Sequence, residues 1–81
     1  MNIYSKIAKP DINQLIQNHT NLVKKISWHL HGRVNSIVDI EDIIQLGMVG
    51  LINAAQNYVP QSDASFSSYA SIRIKGEILD Y

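Results

Sequence analysis

At 81 residues the chain has room for one small domain. With 46% hydrophobic and 17% charged residues it is not a disordered chain; the lack of cysteine excludes a disulfide framework or thiolate metal site, and no apolar run approaches the roughly 18 residues of a membrane span. A formal net charge of zero argues against tight autonomous binding to duplex DNA, which needs a basic excess to neutralise phosphates, and the missing signal-peptide core makes the cytoplasm the expected location.

Residues 1–10 show no helical period and read as an N-terminal tail, with Pro10 holding Lys9 out of a helix. Asp11 then caps a helix whose apolar residues Ile12, Leu15, Ile16, Leu22, Val23, Ile26 and Leu30 recur at spacings of three, four and seven. That spacing predicts one amphipathic helix ending near Gly32, about 30 Å long at 1.5 Å per residue. His19 falls on its apolar stripe and Trp28 off it. From Gly32 to Val38 a connector with Asn35 and Ser36 has room for a short helical turn.

The stretch Ile40 to Tyr58 reads as a buried central helix. Asp39 is its N-cap, Asp42 stands at the capping-box position, and Glu41 adds negative charge where the helix dipole is positive. Ile43, Ile44, Leu51, Ile52, Ala54 and Ala55 cover more than one face, so the helix should be packed on several sides. Gly47 and Gly50 each cost roughly 1 kcal/mol of helix propensity against alanine, which predicts a close approach of another backbone. Pro60 and the polar run Gln61, Ser62 and Asp63 end this helix near Asn57 and Tyr58. A third helix starts around Ser65 or Ser67 and repeats Phe66, Tyr69, Ala70, Ile74 and Ile78 at helical spacing. The expected fold is therefore all-α, a three-helix bundle over residues 11–81.

Little in the sequence supports catalysis or metal binding. His29 and His31, two residues apart, point about 200° from each other on a helix and cannot chelate one ion, and His19 adds no sensible third ligand. Asp39, Glu41 and Asp42 lack an accompanying nucleophile and oriented base, so capping explains them better than acid–base chemistry. No enzyme activity, metal or cofactor is expected. The third helix is more informative. Phe66, Tyr69, Arg73 and Lys75 mix aromatic with basic residues, and such groups stack on unpaired bases at roughly 1–3 kcal/mol per base. On spacing alone, burial of the two aromatic rings in the core is the stronger reading.

The run DIIQLGMVGLINAAQNY from Asp42, followed by FSSYASIRIKGEILD from Phe66, resembles region 2 of bacterial RNA polymerase sigma factors. The arrangement of Asp42, Gln45, Gly47, Gly50 and Leu51, then an aromatic at Tyr58, then Phe66, Tyr69 and Ala70, discriminates far better than a glycine pair alone. Arg73-Ile74-Lys75-Gly76 followed by Leu79-Asp80 is similar to the flagellar and sporulation class, whereas the housekeeping class carries two tryptophans where this chain has Ile72 and Arg73. With LVKKISWHL in the preceding helix, the resemblance covers about residues 15 to 81.

The resemblance implies a core-binding and promoter-melting module that acts in transcription initiation by capturing the non-template strand. Its polymerase-binding positions are Asp42, Gln45, Leu46 and Asn53, facing the clamp coiled coil of the largest catalytic subunit of RNA polymerase core. Leu46 departs from the acidic residue of housekeeping factors. Asp42 and Gln45 lie one turn apart and can offer an acceptor and an amide to a basic partner helix. Its DNA-binding positions are Tyr69, Ile72, Arg73 and Lys75: Tyr69 matches the aromatic that stacks on an unpaired adenine, and Ile72 and Arg73 replace the tryptophan pair. Promoter DNA would be met only within the holoenzyme, since extracting a base from the stack costs a few kcal/mol. The chain stops at Tyr81, where members of the family continue, so it is expected to be incomplete at that end. The alternative reading is a truncated helical interaction protein that binds polymerase core, an anti-sigma factor or a second copy of itself without initiating transcription.

Overall fold

The computed structural model describes residues 11–34, 37–60 and 63–80, and these are all-helical. Four helices follow one another: α1 (Ile12–Asn18), α2 (Thr20–Val34), α3 (Ile40–Asn57) and α4 (Phe66–Leu79). The expected all-α class holds, with the first expected helix divided in two. The expected tail, residues 1–10, lies outside the described residues.

The division falls at His19 and has a local cause. Asn18, His19 and Thr20 are weak helix formers, and the His19 ring competes with its own backbone. Its Nδ1 lies 2.7 Å from the Leu15 carbonyl oxygen, the acceptor an unbroken helix would assign to the His19 N–H. That N–H donates to the Ile16 carbonyl instead, at 3.1 Å. The other ring nitrogen, Nε2, is 3.1 Å from Ser67 Oγ, and the ring meets Phe66 edge-on at 4.7 Å. The break between α1 and α2 is thus tied to the first turn of α4. Helix α1 buries none of its residues, and Ile12 is exposed despite its place in the apolar pattern.

Helix α2 also runs past Gly32 to Val34. Nothing lies within 4 Å of a Cβ built at Gly32, and its φ is not positive, so the residue has no terminating role. The short turn expected between Gly32 and Val38 is replaced in part by this longer helix; residues 35–36 lie outside the described residues and Ile37 is in a turn. His31 Nε2 reaches the Val38 carbonyl oxygen at 2.9 Å and ties the end of α2 to the approach to α3.

At the start of α3, Asp39 takes the extended backbone conformation of an N-cap, but its side chain makes no capping hydrogen bond. The backbone closes the first turn without it: the Asp42 N–H donates to the Asp39 carbonyl at 3.1 Å. Asp42, expected as the far side of a capping box, is left exposed with Glu41. By contrast, Asp11 Oδ1 accepts from the Gln14 N–H at 3.2 Å and Ser65 Oγ from the Ser68 N–H at 3.2 Å, so both of those ends carry true caps.

The core lies where α2, α3 and α4 meet. Val23, Ile26 and Leu30 come from α2, Ile43, Leu51, Ala54 and Ala55 from α3, and Phe66, Ala70, Ile74 and Ile78 from α4. The α2 and α4 sets recur at three and four, the helical period that the sequence shows, while the α3 set spreads over more than one face. Helix α3 packs against all three of the others, as expected of a central helix. The glycines explain how close that packing is. A Cβ at Gly50 would stand 2.8 Å from the Arg73 carbonyl oxygen and 2.8 Å from the Ile74 Cα, both backbone atoms of α4. At Gly47 it would stand 2.8 Å from Val23 Cγ1 and 3.2 Å from Ser27 Oγ on α2. Two neighbouring helices therefore press on α3 where it has no side chain.

Candidate polymerase and nucleic-acid interfaces

Helix α3 turns one stripe to the outside. Asp42, Gln45, Leu46 and Val49, at positions i, i+3, i+4 and i+7, line a shallow concavity of about 320 Å³. Asp42, Gln45 and Val49 are exposed and Leu46 is half-buried, so a carboxylate and an amide sit beside an apolar strip. Three of the four expected polymerase-binding residues are brought together here. Val49, which the sequence reading passed over, completes the group; its helical register with Asp42 was the available signal.

The fourth, Asn53, stands apart. It is half-buried, and its side-chain oxygen accepts a hydrogen bond from the Arg73 guanidinium of α4. Its backbone carbonyl takes a second hydrogen bond from the Asn57 side chain, at 2.7 Å. A contact between residues so far apart in sequence leaves no trace in helical spacing, and the sequence reading missed it.

The expected DNA-binding residues divide between two faces of α4. Tyr69, Ile72 and Arg73 share one face, Ile72 being 70% exposed. Ile72 and Arg73 line a concavity with Gly76, Glu77 and Asp80. Tyr69 is half-buried and leans on Tyr58, with ring centroids 5.7 Å apart and planes at 39°. Tyr58 in turn meets Phe66 edge-on at 5.2 Å, and its hydroxyl donates to the Ala64 carbonyl at 2.8 Å. Phe66 is buried, as an apolar stripe implies, while the Tyr69 ring is anchored by its neighbour and retains an open side. Lys75 lies on the other face, in a groove between α4 and α2. Among the described residues, one buried polar side chain is left without a partner: the Ser27 hydroxyl is fully buried between α2 and α3 and makes no hydrogen bond.

A family model for sigma-70 region 2 matches residues 15–81. The chain belongs to the sigma-70 region 2 family. Among curated relatives, it is 48% identical over 79 residues to the RNA polymerase sigma factor FliA of Pseudomonas aeruginosa, covering 96% of this chain and 32% of that protein. It is 36% identical over 70 residues to the RNA polymerase sigma factor for flagellar operon of Vibrio parahaemolyticus, covering 86% and 29%. Against FliA of Escherichia coli K12 it is 32% identical over 78 residues, covering 96% and 33%. The chain therefore spans about a third of the length of these relatives. The names of these sigma-70 region 2 relatives agree with the flagellar class suggested by Arg73 to Asp80. Within the described residues no helix is long and apolar enough to cross a membrane.

Proposed function

We propose that this domain docks on RNA polymerase core through α3 and supports promoter opening through α4, as a non-catalytic module of a sigma factor. The observation that carries the reading is the open stripe of Asp42, Gln45, Leu46 and Val49 on a helix that packs against α1, α2 and α4 with its buried side. A basic helix of the polymerase clamp coiled coil can place cations on the Asp42 carboxylate and apolar side chains on Leu46 and Val49. On α4, Tyr69 offers a braced ring face for an unpaired base, and the exposed Ile72 and Arg73 are suited to meet the edge where duplex gives way to single strand. A half-buried ring already held by Tyr58 loses little freedom on stacking, which favours capture of a flipped base.

The test is binding of the full chain to a clamp coiled-coil fragment, followed by calorimetry or fluorescence anisotropy. Asp42→Ala and Gln45→Ala should each weaken docking, by about 1–3 kcal/mol where a charge-assisted contact is lost. Both side chains are exposed, so the fold should be unaffected. Absence of docking, or unchanged affinity in both variants, would remove the partner assignment.

A further inference from the structure

The chain's one tryptophan lies off the apolar stripe of α2, and the fold leaves it outside: Trp28 is 61% exposed. Its indole meets the His31 ring edge-on, with centroids 6.0 Å apart, and His31 Nε2 is itself 2.9 Å from the Val38 carbonyl oxygen. The ring is therefore braced while it stands in water. Lys24 and Lys25, both exposed, flank it one turn earlier on the helix. The net charge of zero conceals a separation of charge, since α2 carries no acidic residue whereas Asp39, Glu41 and Asp42 gather at the start of α3. Among the described residues, the side chains of Lys24, Lys25, Glu41 and Asp42 form no ion pair or hydrogen bond with one another. The molecule thus carries an apolar knob edged by cations and, on α3, an apolar hollow edged by carboxylates.

We infer that the chain associates with a second copy of itself, Trp28 of one copy entering the α3 concavity of the other and Lys24 and Lys25 meeting Asp42 and Glu41. The concavity of about 320 Å³, with Leu46 and Val49 beside the Asp42 carboxylate, is at the small end of ligand-holding clefts and suits a single large side chain. A tryptophan seated in such a hollow is the usual anchor of a protein contact, and one already braced by His31 loses little freedom on docking. The charges, exposed on both sides, add orientation and salt dependence more than affinity. A second copy is favoured as the occupant because both halves of the contact, opposite in sign and matched in shape, are present on this chain. Gly47, which meets α2, is two residues from Gln45 and from Val49, about 200° around the helix, so the hollow faces away from α2. A molecule therefore cannot fill its own hollow, and the contact joins unlike surfaces of two copies. The hollow is the surface proposed above for polymerase docking; on that reading, self-association and core binding exclude one another.

The test uses the full chain without polymerase, so its failure and a failure of core docking are separate results. Mass is followed by light scattering over a concentration series, together with the fluorescence of Trp28, the one tryptophan present. Mass should rise with concentration, the emission should move to shorter wavelength in step with it as the indole leaves water, and added salt should reverse both. Trp28→Ala should weaken the association about tenfold or more. Lys24→Glu combined with Lys25→Glu should abolish the shift in emission, as should Asp42→Lys, and mixing the two charge-reversed proteins should restore it. All four side chains are exposed, so far-UV circular dichroism of the variants should match that of the parent. A chain that stays monomeric throughout the series would overturn the inference. Association that survives Trp28→Ala would place the contact on another face and overturn it equally. Association that needs Trp28 but ignores Asp42→Lys would overturn the α3 concavity as the seat.

Discussion

Replacing Gly50 with alanine tests whether the glycine sets the distance between α3 and α4. Alanine favours a helix by about 1 kcal/mol over glycine, so propensity alone predicts stabilisation. Contact predicts the reverse. The new Cβ would be 2.8 Å from both the Arg73 carbonyl oxygen and the Ile74 Cα, and 3.1 Å from the Arg73 carbonyl carbon. The two nearest contacts are about 0.6 Å inside the ordinary van der Waals range that begins at 3.4 Å. These are backbone atoms of a helix anchored by buried Ile74 and Ile78, so no rotamer change relieves the clash and α4 must move as a body. Overpacking of this kind costs typically 1–3 kcal/mol and sometimes more, and it outweighs the gain in propensity. The expected result is net destabilisation of about 1–2 kcal/mol, out of a total of roughly 4–12 kcal/mol for a domain of this size. Thermal unfolding followed by circular dichroism should show a midpoint lower by about 4–8 °C for each kcal/mol. Gly32→Ala is the control, because nothing stands within 4 Å of its Cβ and it should be stabilised. A Gly50→Ala midpoint equal to or above that of the parent would refute the argument that backbone approach fixes this residue.

Two further substitutions probe the interior and the aromatic brace. Ser27→Ala removes a fully buried hydroxyl that has no hydrogen-bond partner, and it should raise stability by about 1 kcal/mol, read as a higher urea midpoint with an unchanged slope. A fall in stability would mean that the hydroxyl is satisfied in solution. Tyr58→Phe keeps the ring contacts to Phe66 and Tyr69 but loses the 2.8 Å hydrogen bond to the Ala64 carbonyl. It should cost about 0.5–1 kcal/mol in chemical denaturation, and a loss well above that would show that the hydroxyl does more than fasten the loop before α4.

The architecture was legible in the sequence wherever it depended on period. Val23, Ile26 and Leu30, and likewise Phe66, Ala70, Ile74 and Ile78, are buried because they recur on one side of a helix. The cost of a glycine inside a helix was enough to predict the close approach at Gly50. The failures are local or long-range competitions that a period cannot register. His19 matched the apolar stripe, yet its ring takes a carbonyl from its own backbone and ends α1. Asp39 had the right residue type and position for a cap, but the first turn closes through backbone hydrogen bonds and its side chain is not used. Gly32 looked like a terminator, although α2 passes through it with no positive φ. Asn53 and Arg73 were both singled out, for different partners, and their mutual contact appears only once α3 and α4 are packed.

That contact bears on how the two proposed interfaces relate. Asn53 lies one turn beyond Val49 on α3, outside the concavity that Val49 lines, and Arg73 is exposed on α4. The hydrogen bond between them crosses the helix pair beside Gly50, whose bare Cα lets the two backbones meet. Helix separation, guanidinium placement and the orientation of the Asn53 side chain therefore share one piece of packing. A side chain larger than glycine at position 50 would separate α4 from α3 and draw Arg73 away from Asn53. The glycine so connects the packing of the core to the geometry of both surfaces, which neither helix determines by itself.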